Sequence, residues 1–322
     1  MISKIAPFFV LIIAIVSCRK SNTATPPTPA PEALMSWTFV DSLPTKDPSD
    51  VWFTSANNGF LLGPYLYQTS DGGVTWKNPG LGSGSYFNLF FADPQHGFAE
   101  LLNQLLITAD GGNSWKLVTL PTTGAQTIFF VNPGEGFYGD YHGGGLMKSV
   151  DSGKTWVNVF NDPGPAQGFY PFFVNADTGF VAMASGNFAS TSDGGNNWQT
   201  GKGVLPAESK TTAYAQLYFI NQNIGFYGYS SGVSRTLNGG QSWQNVLSVP
   251  ENSQYPVSVI HFVDANTGYY MGGSTIYKST DAGQTWAINC QLGNDNFAAM
   301  CFMDSHTGWA ATGGGRLLKT QQ

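Results

Sequence analysis

With 40 glycines, 14% aromatic and only 11% charged residues in 322, the chain reads as an all-β protein rich in turns. From Met35 onward, 11 Lys and Arg stand against 19 Asp and Glu, a net charge of −8. That excludes a nucleic-acid binder, which needs a basic surface to displace counterions from phosphates.

Taken from the N-terminus, "MISKIAPFFVLIIAIVSC" carries one Lys and then an apolar run from Ile5 to Val16. A membrane-spanning helix needs about 20 apolar residues, so this run is too short and fits the core of a secretory signal. Its ending, Ile15-Val16-Ser17-Cys18, resembles the bacterial lipobox, which implies that Cys18 is lipidated and becomes the mature N-terminus. A plain signal peptide with an incidental cysteine is the alternative. The tract "SNTATPPTPAPEA" cannot bury anything and reads as an extended tether. The expected organisation is a lipoprotein signal over 1–18, a tether over 19–35 and a folded domain over 36–322. Such a chain belongs in a bacterial cell envelope, held to the membrane by its lipid alone. Arg19 in place of Asp after the cysteine implies the outer membrane under the usual sorting rule, with the side left open.

Beyond the tether two phrases alternate. "TSDGGVTW" (69–76) returns as "TADGGNSW" (108–115), "SVDSGKTW" (149–156), "TSDGGNNW" (191–198), "TLNGGQSW" (236–243) and "STDAGQTW" (279–286). Out of phase with it run "FTSANNGF" (53–60), "FADPQHGF" (91–98), "FVNPGEGF" (130–137), "FVNADTGF" (173–180), "FINQNIGF" (219–226), "FVDANTGY" (262–269) and "FMDSHTGW" (302–309). A period near 40 residues indicates a propeller or a solenoid. The ends decide between them. "SWTFVDSLP" at 36–44 aligns with the segment after each first phrase, and the terminal "GRLLKTQQ" aligns with the strand leading into one. Trp37 and Thr320 therefore share one unit built from both chain ends, as a closed ring requires. Tryptophans 37, 76, 115, 156, 198, 243 and 286 give seven blades.

Within a unit, residues 257–289 read as four antiparallel strands. "VSVIHFV", "YYMGG", "TIYKS" and "WAIN" are separated by the turns "DANTG" and "TDAGQTW". The register puts Cys301 on an inner strand and Cys290 beyond an outer one, which favours two unpaired thiols over a disulfide. In the first phrase the acid is Asp71, Asp110, Asp151, Asp193 and Asp281, with Asn238 in the fifth copy, and the closing residue is Trp76, Trp115, Trp156, Trp198, Trp243 and Trp286. A calcium loop needs several converging oxygens, and each copy offers one carboxylate. The acid is expected to shape the turn by accepting backbone hydrogen bonds, and the tryptophan to pack between blades.

These phrases resemble the Asp-box, or BNR, repeat "S/T-x-D-x-G-x-T-W" of sialidases and related propellers. Together with "F-x-D-x-x-x-G-F", the chain from Trp37 to Gln322 looks most like the photosystem II assembly/stability factor family, which implies a seven-bladed propeller. Function is a separate matter, because propellers host many activities. Sialidases grip a carboxylate with three arginines, and this chain has Arg19, Arg235 and Arg316 only, the first in the tether. The photosynthetic members bind a reaction-centre polypeptide through a surface thought to be basic, whereas this ring is acidic.

Enzyme motifs are wanting. Acids outside the repeated turns, among them Asp47, Asp50, Asp140, Asp162, Glu208, Glu251 and Asp295, lie in no recognisable pair. His96 and His306 sit in repeated turns, His261 in an inner strand and His142 in a loop, which forms no metal set. No metal, cofactor or catalytic residue is expected. Chain geometry puts both constant phrases on one face of the ring, and the irregular connections on the other. The aromatics Tyr86, Tyr141, His142, Phe169, Tyr170, Tyr214 and Tyr255 lie in or beside those connections and form the expected binding face. Asp50, Asn88, Tyr170 and Gln216 occupy equivalent early positions in inner strands, at the expected mouth of the central channel. The expectation is a non-catalytic scaffold or assembly factor that binds an envelope or surface protein. A carbohydrate-binding or glycan-processing propeller is the alternative.

Overall fold

The computed structural model describes residues 37–122, 125–140, 145–161, 168–183, 186–204, 216–229, 231–249 and 258–320, and the expected signal, lipobox and tether lie outside them. The regular elements among these residues are all β-strands, arranged as seven antiparallel sheets. Six sheets have four strands. In blade one, Asp50–Phe53, Gly59–Leu62 and Leu66–Thr69 form the sheet, and the fourth strand is reduced to a bridge between Gln68 and Lys77. Blade seven takes Phe297–Phe302, Gly308–Thr312 and Arg316–Thr320 from the C-terminus. Its outermost strand is Trp37–Ser42, with Trp37 opposite Thr320 as the alignment of the chain ends requires.

The inner strands Asp50–Phe53, Tyr86–Phe91, Ala125–Asn132, Phe169–Phe173, Gln216–Phe219, Ser258–Phe262 and Phe297–Phe302 contact one another in turn, and the last contacts the first. The molecule is a seven-bladed β-propeller, a ring without a gap.

The second phrase is a packing device. Its first Phe lies opposite its Gly across the hairpin, as in Phe53 with Gly59 and Phe173 with Gly179. The ring folds over that glycine so closely that a Cβ on Gly179 would lie 2.3 Å from Phe173. The residue after the glycine stacks on the next blade's Phe. Phe60 meets Phe91 at 4.6 Å, Phe98 meets Phe130 at 3.4 Å, Phe137 meets Phe173 at 4.0 Å and Phe180 meets Phe219 at 3.7 Å. Phe226 on Phe262 (4.5 Å) and Tyr269 on Phe302 (3.6 Å) continue the series. Trp309 on Phe53 at 3.8 Å and 5° closes it across the seam between the chain ends. Each such pair is worth about 0.5–1.5 kcal/mol beyond the area it buries.

The first phrase builds a rigid turn beside each stack. Thr69 Oγ1 donates to Asp71 Oδ1 (2.8 Å) and accepts from Gly73 N (2.9 Å). Asp71 then accepts from Thr75 N (2.9 Å) and Thr75 Oγ1 (2.6 Å). These bonds, led by that from the Thr75 hydroxyl, hold the Asp71 carboxyl down at about 2. Gly73 has φ +98°, which other residues resist. Trp76 Nε1 donates to Gly73 O at 3.0 Å, and the indole stands edge-on to Phe53. Trp115 is edge-on both to Phe91 of its own blade and to Phe60 of the preceding one.

Cys290 lies within the outer strand Ala287–Gln291, which runs two residues further than "WAIN" suggests. Cys290 and Cys301 are free thiols.

Candidate functional site

Inner strands run from the face of variable connections toward the face of constant turns, so their first residues ring the variable mouth of the channel. The residue before each conserved Phe lines the channel itself. Trp52, Phe90, Phe129, Phe172, Tyr218 and His261 form a belt of rings around it, with successive centroids 4.9–6.0 Å apart. Cys301 completes the circle, its Sγ accepting from Phe53 N at 3.4 Å. Tyr218 donates to Phe262 O at 2.8 Å, and burial holds the His261 imidazole down at about 4 while it bonds the Phe302 backbone. The belt therefore carries no charge at neutral pH.

Two residues toward the variable face the lining turns polar and stitches the blades together. Asp50 Oδ2 accepts from Leu89 N (3.0 Å) across the first blade interface, and its Oδ1 accepts from Val51 N (2.8 Å). Gln216 Oε1 accepts from Ile260 N (2.6 Å) across the fifth. Asn88 Nδ2 donates to Glu100 Oε2 at 2.6 Å. Enclosure by the blades raises the Asp50 carboxyl to about 7, against the lowering effect of its two N–H donors.

Glu100 goes further. It is fully buried, its Oε1 has no hydrogen-bond partner, and burial raises it to about 8 despite the Asn88 amide. Close by in blade three, buried Tyr138 shares a 3.1 Å hydrogen bond with Thr122 and feels the charges of Asp140 and Glu100. Asp140 is buried at the end of the strand Glu135–Asp140. The mouth thus holds buried carboxyl groups, of which Glu100 is mainly protonated at pH 7 and Asp50 is near its midpoint. His/Cys/Asp/Glu clusters able to hold a metal ion are absent among the described residues.

Of the expected binding-face aromatics, Tyr141, His142, Tyr214 and Tyr255 lie outside the described residues. The other three are packed inside. Tyr86 is 3% exposed and donates to Gly82 O at 3.2 Å. Phe169 lies under Gly139, whose Cβ would meet Phe169 O, and Tyr170 packs into the interface with Leu217, Tyr227 and Tyr229. None of the three presents a surface to a partner in this structure. Two residues that sequence reasoning passed over are exposed there instead. Phe87 and Leu102 of blade two are 48% and 52% exposed on the variable side. Leu102 also holds φ +53°, an uncommon conformation for a leucine.

The sequence matches no protein-family model and no curated protein. Solved structures share the architecture. YCF48 bound to a D1 peptide is 18% identical, with a TM-score of 0.68 over 93% of this chain and 99% of that one. A streptogramin B lyase is 13% identical, with a TM-score of 0.69 over 89% and 97%. The GH74 xyloglucanase from Xanthomonas campestris is 13% identical, with a TM-score of 0.63 over 88% of this chain and 53% of its own. At these identities the likeness shows the fold, and a peptide-bound protein and two enzymes share it.

Proposed function

We propose that the chain is a non-catalytic, protein-binding propeller of the photosystem II assembly factor-like kind. It is held in the bacterial envelope through Cys18 and serves as a scaffold or assembly factor for an envelope complex. One observation carries the reading: the two faces of the ring are built differently. One is locked by repeated hydrogen-bonded turns. The other carries the irregular connections and opens on an uncharged aromatic channel and a buried polar mouth, with Phe87 and Leu102 exposed beside them, whereas the apolar side chains exposed on the constant face, such as Val74 and Val150, belong to the locked turns. Exposed apolar side chains rimmed by polar ones suit a polypeptide. A neighbour of the same fold and nearly equal length is bound to a peptide.

The glycan reading draws on the xyloglucanase neighbour and on the carboxyl groups at the mouth. Full burial of Glu100 weighs against it, since a glycosidase carboxyl must reach the glycosidic oxygen. The test is cross-linking of intact cells expressing the anchored protein, compared with a Phe87→Ser/Leu102→Asn variant. A defined envelope protein lost from the variant supports the reading. Recovery of the same protein in equal yield from both would move the site off blade two.

A further inference from the structure

A second polar feature lies on the opposite, constant side, in blade five. In blades one and three the residue before the box Thr or Ser reaches across to the next blade's turn: Gln68 donates to Gly112 O, and Lys148 to Gly194 O at 2.6 Å while pairing with Glu135 at 2.8 Å. Arg235 occupies this position in blade five and makes no such bond. Its Nε is buried without a partner, and no acceptor bonds its guanidinium among the described residues. The other ring arginine, Arg316, is paired with Asp295 at 3.0 Å.

Arg235 forms one wall of a small open concavity, completed by Leu237, Ser242, Trp243 and Gln244. Gln244 is its cross-strand partner, and Leu237 is 61% exposed. The Trp243 indole N–H is buried without an acceptor, a state it shares with Trp115 and Trp286.

The substitution of Asn238 for Asp acts at this rim. In the other five boxes the seventh residue donates to the Asp, as Thr155 Oγ1 does to Asp151 Oδ2 at 2.7 Å and Ser114 Oγ to Asp110 Oδ2 at 2.6 Å. Asn238 Oδ1 is occupied by Ser242 N (2.9 Å) and Thr236 Oγ1 (3.0 Å), so its amide nitrogen faces Ser242. It donates to Ser242 Oγ at 2.9 Å, and the direction of the bond is reversed. Two consequences follow at one place. The box loses its negative charge, and the Ser242 hydroxyl proton is released to donate elsewhere.

We infer that this pocket binds a monocarboxylate carrying an apolar group. Its polar wall offers donors: the flat guanidinium of Arg235, the Ser242 hydroxyl and the Gln244 amide. A guanidinium fork matches a carboxylate edge to edge. Leu237 and Trp243 supply the apolar side. A doubly charged phosphate is a poorer fit, because one cation is present and Asp281 of blade six lies within electrostatic reach of it. Asp281 is itself engaged by Ser279 and Thr285 and leaves Arg235 without a hydrogen bond. This site is separate from the variable face and stands or falls independently of the protein-binding reading.

Ligand-observed saturation-transfer NMR with phenylacetate, and with uncharged phenylacetamide as its isostere, tests the inference on the unaltered protein and four variants. Saturable phenylacetate binding is expected, with little or none for the amide. Arg235→Gln should weaken it at least tenfold and Arg235→Lys less. Asn238→Asp, which restores the box found in five other blades and so should fold, should weaken it comparably. Arg316→Gln should leave it unchanged. The inference is overturned if phenylacetate shows no saturable binding, if the amide binds equally, if Arg235→Gln has no effect, or if Arg316→Gln weakens binding as much as Arg235→Gln.

Discussion

Replacing Trp309 by Ala probes the seam where the chain ends meet. Trp309 is fully buried, stacks on Phe53 at 3.8 Å, donates to Gly72 O at 3.3 Å and lies under Lys319 Nζ at 4.8 Å. Deleting a buried aromatic to Ala costs about 3–5 kcal/mol. Phe98 provides the internal standard. It occupies the same register at the interface of blades two and three, is 1% exposed and stacks on Phe130 at 3.4 Å. If the ring is closed as strongly at its seam as elsewhere, Trp309→Ala and Phe98→Ala should lower stability by comparable amounts. Trp309→Ala should cost about 1 kcal/mol more for the lost hydrogen bond. Urea unfolding of both variants, read as the shift in midpoint at unchanged m-value, measures this. A Trp309→Ala cost below about 1 kcal/mol beside a Phe98→Ala cost of 3–5 kcal/mol would refute the reasoning, since an interface that does not hold the chain ends together loses little when emptied.

Other outcomes follow from buried titratable groups and from the box. Glu100 has a folded pKa raised to about 8, above its unfolded value, so the native state holds the extra proton between them. Stability from this group is fully present below about pH 4.5 and falls as pH rises through 8, by a total on the order of 4–5 kcal/mol. Glu100→Gln should flatten urea stability between pH 5 and 8, leaving a shallower slope from Asp50. An unchanged slope would contradict the burial argument. The Cys301 thiol, raised to about 12 by burial, should react with a thiol reagent at neutral pH only as fast as the protein unfolds, and labelling within minutes in native buffer would contradict its placement. Thr69→Val removes the hydroxyl that bonds both Asp71 and Gly73 N, and should cost about 1–3 kcal/mol by urea unfolding. A cost indistinguishable from zero would mean that the box is not a structural unit.

Much of the fold was legible in two short phrases, because each serves one geometric need repeated around a ring. The F-x-x-x-x-x-G spacing is set by a phenylalanine folding over a glycine, and the S/T-x-D spacing by a hydroxyl and a carboxylate closing one turn. The pairing of Trp37 with Thr320 followed from register alone.

The site was less legible, for reasons of parity. Counting back in twos from Phe173 puts Phe169 on the same buried face, a signal that was present. In blade two a bulge between Tyr86 and Leu89 reverses that parity, turning Tyr86 inward and Phe87 outward. A single sequence does not announce where such a bulge falls. Glu100 escaped notice because nothing in "FAELLNQ" marks its side chain as pointing into an interface. The free Arg235 depends on contacts from the next blade, 43 residues or more away in the chain.

The central claim is that the variable face, at blade two, meets a protein. The most direct measurement places a photo-activated cross-linking amino acid at position 102 in one strain and at position 150 in another. Val150 is 72% exposed on the constant side and serves as the control. The account predicts that position 102 captures one defined envelope protein and position 150 does not. Capture of that protein from position 150 alone, or of nothing from position 102, would contradict it.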